Sequence, residues 1–467
     1  MKQPSRWLVF SLVAIAQFMV VLDVSITNVA LPTIKQALHF SSNSSLQWVI
    51  TAYALTFGGF LLLGGRAADL YGRRRTLLIG MSGFTFFSLL IGFSHTETML
   101  IALRALQGLA AALMSPSALS IVLTTFSEGR ERNKALGLWA TAAPAGAATG
   151  LLLGGVLTQY LGWEWNFFIN VPVGIIVAIA ISRIVPVHEK EEKDSTLDLP
   201  GAVLVTGGLI SLVYAISQAP IKGWLSAHTL GIIGFGLVLI VAFIVNESRA
   251  KHPLVPLSIF KIRNVIGGNL IMAPVAATMF GNFFLLSLYT QNVLRYSPVL
   301  TGISFLPFPI VTALTSTNIP KFVSKYGYKR FLIAGPIFIG IALLWLSKAP
   351  ADGQYLVNLL PPMLIMPFGI GMTFMPVIAA ATSGVPGREA GLASGLINTS
   401  QQMGGALGLS ILSGIDASVA TAAGGSPLQA QVHGYSRAFA AAAIFQLFAL
   451  ILAVMVIKQR KPADSNS

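Results

Sequence analysis

The chain has 467 residues, 54% apolar and only 10% charged, with a mean hydropathy of +0.75; an average soluble domain carries about a quarter charged residues, so an ordinary cytosolic enzyme is excluded. The absence of cysteine rules out disulfides, thiolate metal sites and cysteine nucleophiles together. A net charge of +14 invites a nucleic-acid reading, but no basic, aromatic-interleaved domain stands outside the apolar runs, so nucleic acid is not an expected partner.

Apolar runs of about twenty residues, each long enough to cross roughly 30 Å of hydrocarbon, recur from end to end. They predict fourteen transmembrane helices at 8–31, 47–68, 77–93, 99–126, 135–160, 166–184, 200–218, 225–246, 265–293, 299–319, 331–346, 356–383, 390–415 and 438–457. The start of the first imitates a signal peptide, with Lys2 and Arg6 before an apolar stretch and Ala14-Ile15-Ala16 resembling a cleavage site. The run continues through Val20, Val21 and Leu22, which favours an uncleaved helix. Of the 30 Lys and Arg residues, 24 fall on the side of the N-terminus. Lys35, Lys222, Arg295, Lys348 and Arg437 fall on the other side, and Arg104 alone sits well inside a span. Positive charge is retained on the inner side, so both termini are expected in the cytoplasm. The longest inner connections, 188–194 and 247–264, read as solvated linkers.

Within this series a segment repeats. Arg66-Ala-Ala-Asp-Leu-Tyr-Gly-Arg-Arg-Arg-Thr-Leu-Leu-Ile-Gly80 returns 255 residues later as Lys321-Phe-Val-Ser-Lys-Tyr-Gly-Tyr-Lys-Arg-Phe-Leu-Ile-Ala-Gly335, and Met114-Ser-Pro116 is answered at offset 260 by Phe374-Met-Pro376. A parallel duplication puts equivalent turns on one side of the membrane. The expected architecture is an all-α integral membrane fold: a six-helix half over 1–185, a linker with helices seven and eight over 186–264, a second six-helix half over 265–457, and a cytoplasmic tail over 458–467.

Asp23 is the one acid placed well inside a predicted span. A carboxylate in hydrocarbon costs several kcal/mol unless paired, hydrated or protonated, so its presence asks for an explanation. Burial favours the neutral acid and a nearby cation favours the carboxylate; a group moved between those settings loads and releases a proton. Arg104 is the natural partner, because at about 1.5 Å per residue both groups fall in the outer half of the bilayer. Gln107, one turn from Arg104, can join them.

Five stretches in order are similar to the major facilitator superfamily, specifically its fourteen-helix drug:proton antiporter group. They are Leu22-Asp-Val-Ser-Ile-Thr-Asn-Val-Ala-Leu-Pro32, Gly65-Arg-Ala-Ala-Asp-Leu-Tyr-Gly-Arg-Arg-Arg75, Arg104-Ala-Leu-Gln-Gly108, the run 146–155, and Trp163-Glu-Trp-Asn-Phe-Phe-Ile-Asn-Val-Pro172. The resemblance implies that helices one and four pack beside a central cavity and that Arg104 takes part in proton transfer. It also implies that the turn bearing Gly65, Asp69, Gly72, Arg73 and Arg74 is a conformational latch that does not touch substrate. Gly146, Gly150, Gly154 and Gly155 supply small residues for helix packing on the fifth helix, the first three spaced by four as a seam on one face. The chain departs from the family at Leu151, where a proline commonly follows the middle glycine, and at Glu164, where arginine is common between the tryptophans; Glu164 reads as an interfacial charge. Asn28 lies near the outer end of the first helix and is assigned no role.

In the second half no acid is expected in mid-membrane. Asn398, Gln401, Gln402, Asn318, Asn269 and Asn282 offer neutral hydrogen bonds to substrate or between helices, and Phe305, Phe308, Phe374 and Met375 offer apolar walls. Histidines occur only in loops or near span ends, and neither a His-Glu-x-x-His nor a Walker pattern occurs, which leaves a membrane-embedded enzyme and ATP coupling unsupported. Repeated selectivity elements of a channel are also missing. The expected activity is proton-coupled export of small amphiphilic compounds (drugs, antibiotics, dyes) by alternating access, with the proton gradient as energy source and no cofactor or metal. The expected setting is a monomer in the lipid bilayer of a bacterial inner membrane. Proton-coupled import of a small solute is the alternative, since helices do not display direction.

Overall fold

A computed structural model describes residues 5–126, 129–186, 197–386, 389–423 and 426–458. The linker stretch 188–194 and residues 459–467 of the tail lie outside the described residues. Among the described residues, fourteen helices are long and apolar enough to span a membrane: α1 (Arg6–Ala37), α2 (Asn43–Tyr71), α3 (Arg73–Gly92), α4 (Glu97–Thr125), α5 (Arg130–Tyr160), α6 (Trp165–Ile184), α7 (Leu199–Lys222), α8 (Ala227–Arg249), α9 (Arg263–Val293), α10 (Pro298–Tyr326), α11 (Tyr328–Leu346), α12 (Tyr355–Thr382), α13 (Gly391–Ala422) and α14 (Pro427–Met455).

The number of spans agrees with the sequence reading, but several ends move outward. Capping residues decide where: Thr96 accepts from the Met99 amide to start α4, Ser297 from Leu300 to start α10, and Ser426 forms a capping box with Gln429 to start α14 eleven residues before the apolar run. Span hydropathy cannot register such polar first and last turns. The consequential case is α13, which runs on to Ala422, so Asp416, expected just beyond the span, is inside a helix and only 2% exposed.

The sequence repeat is a structural one. Gly72 between α2 and α3 has φ 95°, and Gly327 between α10 and α11 has φ 79°. Both sit where a side chain would strain the backbone. A residue further into each repeat, Gly80 lets α3 meet the Ala110 carbonyl of α4, and Gly335 lets α11 meet the Gly369 carbonyl of α12, each within 2.8 Å of where a Cβ would stand.

The core shows how the halves are joined. One cluster takes Val9, Val13, Leu77, Phe84, Ile121, Val122 and Ile181 from α1–α6 alone, at the end of the molecule that carries the termini. Toward the opposite face a second cluster runs through both halves, uniting Val29, Leu31, Val49, Leu151 and Phe167 with Phe284, Leu288, Phe305 and Tyr435. The halves are thus fused by continuous apolar packing at the far face. Helix α7 lies across the α2–α13 seam, where Leu209 and Val213 pack on Ala54, Leu55 and Ala406, and the Trp48 indole donates to Ser217 Oγ at 3.2 Å. By contrast α8 leaves Phe235, Leu237, Val238, Val241 and Ile244 exposed, a surface suited to lipid.

Candidate functional site

Asp23 is fully buried at the middle of the first bundle. Arg104 Nη1 donates to Asp23 Oδ2 at 2.5 Å and to Gln107 Oε1 at 2.5 Å, and Arg104 Nε donates to the Val49 carbonyl at 3.0 Å. Gln107 Nε2 donates to Asp23 Oδ1 at 2.9 Å and to Ser88 Oγ at 2.8 Å, and Asn170 Nδ2 reaches the same Asp23 oxygen at 3.0 Å. The guanidinium lies over the Tyr53 ring, 4.3 Å from its centroid, with Phe167 on another side at 5.8 Å. A buried ion pair survives in apolar surroundings only when its remaining lone pairs and protons are also satisfied, and this network supplies those bonds.

The three residues expected here, Asp23, Arg104 and Gln107, are therefore brought together. Sequence reasoning did not find Ser88, Asn170, Tyr53 or the Val49 carbonyl. Asn170 belongs to the family-like stretch ending at Pro172, but an asparagine in an apolar helix carries no mark that tells a carboxylate partner from ordinary interhelical glue. The pair is also fully enclosed: every partner named comes from α1–α6, and Asp23 and Arg104 are 0% and 1% exposed. The pair is sealed within one half rather than lining open space between two.

Of the two adjacent glycines at the latch turn, one brings α2 close to α4. Gly64, not Gly65, is the close approach: a Cβ there would strike the Ala112 carbonyl of α4, whereas one on Gly65 would meet Pro116 Cβ at an ordinary 3.8 Å. Arg74 donates to the Ser182 carbonyl near the end of α6, and Thr76 Oγ1 to the Ala67 carbonyl at 3.2 Å, tying the α2–α3 turn to its own bundle. Asp69 and Arg73 also have partners within the structure.

The glycine run on α5 divides into two tasks. Cβ atoms on Gly146, Gly150 and Gly154 would meet Val21 Cβ at 3.1 Å, Ser25 Cβ at 2.7 Å and Ile26 Cα at 2.9 Å, so these three form the expected seam, against α1. Gly155 is not part of it. Its Cβ would meet the Pro298 carbonyl at 2.7 Å and Val299 Cα at 2.9 Å, across the boundary between halves. Leu151, in the place of the family's proline, likewise crosses the boundary, its carbonyl pressed against Gly302 of α10. Asn28 is buried at the same boundary, where its backbone carbonyl accepts from Ser287 Oγ of α9 at 2.8 Å.

Of the residues expected to line a cavity in the second half, Asn398 is exposed and Gln401 half-buried, while Gln402 packs against Gly58 of α2. Phe305 departs from expectation: it is 1% exposed and packed in the shared core, its ring centroid 6.3 Å from that of Phe283. Phe374 is partly buried against the same core. Asp416, which the sequence placed just beyond the thirteenth span, is instead buried near the far-face end of α13, and its Oδ2 accepts from Asn43 Nδ2 of α2 at 3.0 Å.

The sequence profile described as the Major Facilitator Superfamily matches residues 13–409. The puromycin resistance protein pur8 of Streptomyces alboniger is 39% identical over 99% of this chain and 94% of its own length. The cephamycin export protein CmcT of Amycolatopsis lactamdurans is 38% identical over 97% of this chain and 92% of its own. Among solved structures, the POT family transporter PepTSo superposes with a TM-score of 0.70 at 16% identity, covering 97% of this chain and 99% of that one, a likeness of fold. With fourteen spanning helices, a duplicated six-helix half and a profile match over most of its length, the chain belongs to the Major Facilitator Superfamily.

Proposed function

We propose that the chain exports small amphiphilic compounds, antibiotics among them, from the cytoplasm by alternating access, driven by protons that load and leave Asp23. The observation that carries the coupling is the sealed Asp23–Arg104 ion pair with its full set of neutral donors. Protonation of Asp23 removes the charge that Arg104 balances and leaves a buried cation uncompensated, a change on the order of several kcal/mol, ample to bias two arrangements of packed helices. Export as the direction is supported by relatives named for antibiotic resistance and export. The concentration of Lys and Arg beside the termini supports a cytoplasmic terminal face in the bacterial inner membrane. The packing of both halves into one core at the face opposite the termini supports entry of substrate from the cytoplasm.

The test is dye efflux from energised cells carrying wild type or Asp23→Asn, with and without a protonophore. Efflux that is lost both in the variant and in uncoupled wild type supports the proposal. Full protonophore-sensitive efflux by Asp23→Asn would remove Asp23 from the coupling, and gradient-driven accumulation of the dye would assign import.

A further inference from the structure

Another buried acid stands where the two halves meet at the far face. Asp416 is 2% exposed, and its Oδ2 accepts from Asn43 Nδ2 at 3.0 Å, while Asn43 Oδ1 accepts from Lys35 Nζ at 2.7 Å. The neutral amide therefore relays between a cation on α1 and a carboxylate on α13, with its acceptor turned to the ammonium and its donors to the carboxylate. The bridge is strongest with Asp416 ionised: a protonated acid still offers a carbonyl oxygen to the amide but loses much of its attraction for that donor and for the cation behind it. Below this bridge, Ser410 Oγ donates to Gln47 Oε1 at 3.0 Å, and across the same face Ser287 Oγ donates to the Asn28 carbonyl, so the bridge caps a polar seam between halves.

From α14, Gly434 lets the chain come down onto Asp416 Oδ1, and the Tyr435 phenol is buried close by, beside Asn43. From α9 the neighbour is Asn292, beside Tyr435. From α7 the groups nearest this end of α13 are the Ile216 carbonyl and Pro220, against Gly414, neither of which titrates. From α4, Glu97 is engaged by Ser45 Oγ at 3.1 Å, two residues along from Asn43. Lys35 itself opens onto a 740 Å³ cavity at the same boundary, lined also by His39 and Arg295. His433, next to Gly434, is exposed. Lys35 is thus the cation the bridge uses, and Asp416 the one acid buried in it.

We propose that Asp416 is a second proton-binding site of the transport cycle, in the half opposite to Asp23, and that a proton taken from the outer side breaks the Asp416–Asn43–Lys35 bridge and opens the outer seam. This rests on the proton-coupled reading above and adds to it the entry step. It places one titrating carboxylate in each half, one sealed inside a bundle and one on the boundary.

The chain has no cysteine, so a single Ser287→Cys reports the seam without background labelling. Ser287 is fully buried beneath the Asn28 carbonyl and changes little in size. Labelling by a membrane-impermeant maleimide, applied to the outer face of cells and normalised to a denatured control at each pH, should rise about threefold or more between about pH 7.5 and about pH 5.5, as expected of one titrating carboxylate. Adding Asp416→Asn, which retains an oxygen to accept from Asn43 but cannot ionise, should hold labelling at the low-pH level throughout. Adding Glu97→Gln should leave the pH profile as it was. A pH-independent signal in the parent, or an unchanged profile in the Asp416→Asn background, would overturn the proposal. Protonophore-sensitive efflux decides the proton reading separately, so the two can fail independently.

Discussion

Asp23 is held by one cationic donor and two neutral ones, Gln107 and Asn170, and each can be removed separately. Arg104→Lys keeps the charge but not the geometry, since an ammonium cannot serve Val49, Asp23 and Gln107 from the positions the guanidinium occupies. Protonophore-sensitive efflux by Arg104→Lys should fall about tenfold or more, equivalent to roughly 1.4 kcal/mol, while the purified protein keeps its helical circular dichroism. Asn170→Ala should cost about 1.5–3 kcal/mol, the range for a hydrogen bond to a charged group, seen as earlier thermal unfolding in detergent. Asp23 and Arg104 were legible in the sequence because charges in apolar runs are rare and must be explained. Asn170 and Ser88 were not, because neutral polar residues occur in many membrane helices and only the folded bundle shows which of them face a carboxylate.

Helix packing in this protein depends on where a side chain is missing. In α5, Gly150 is tight against Ser25 and the Leu22 carbonyl, while Gly137 has nothing within 4 Å of its Cβ position. Gly150→Leu should force α1 and α5 apart and cost about 1–3 kcal/mol or more, read as a lowered melting temperature. Gly137→Ala should be neutral or stabilising by up to about 1 kcal/mol, because helix propensity is then the only term that changes. The spacing of Gly146, Gly150 and Gly154 displayed a face; it could not say which helix would meet it or that Gly155 would serve the opposite half. The same limit set the length of α13: an acid looks like a terminus to any hydropathy window, and only Asn43, reached across the boundary, lets Asp416 stay inside.

The molecule as a whole is held closed at the far face by the core that runs through both halves, together with the Ser287, Gln291 and Gln159 contacts. Alternating access requires these to part. The Val299 amide donates to Gln159 Oε1 at 3.2 Å, so cysteines at these two positions, joined by a short bifunctional maleimide, should stop efflux almost completely. Either cysteine alone, treated in the same way, should retain most of it. Persistent efflux from the cross-linked protein would show that the seam does not open during transport. Helix α7 lies on the α2–α13 part of the boundary, so it is positioned to follow that motion.

Length, hydropathy, charge placement and the 255-residue repeat determined by themselves that the chain spans a membrane fourteen times in two related halves, because a helix in hydrocarbon must meet its backbone bonds internally and be apolar over a fixed length. They also singled out Asp23 and Arg104. Tertiary structure alone decided that this pair is sealed inside one half, that Phe305 belongs to the shared core, that the far face is the closed one, and that a second acid bridges the boundary. The physical reason is that local constraints are written residue by residue along a helix, whereas burial and pairing depend on which faces meet. That choice is made by the packing of distant segments, such as Asn43 against Asp416, whose side chains become partners only once both halves are folded.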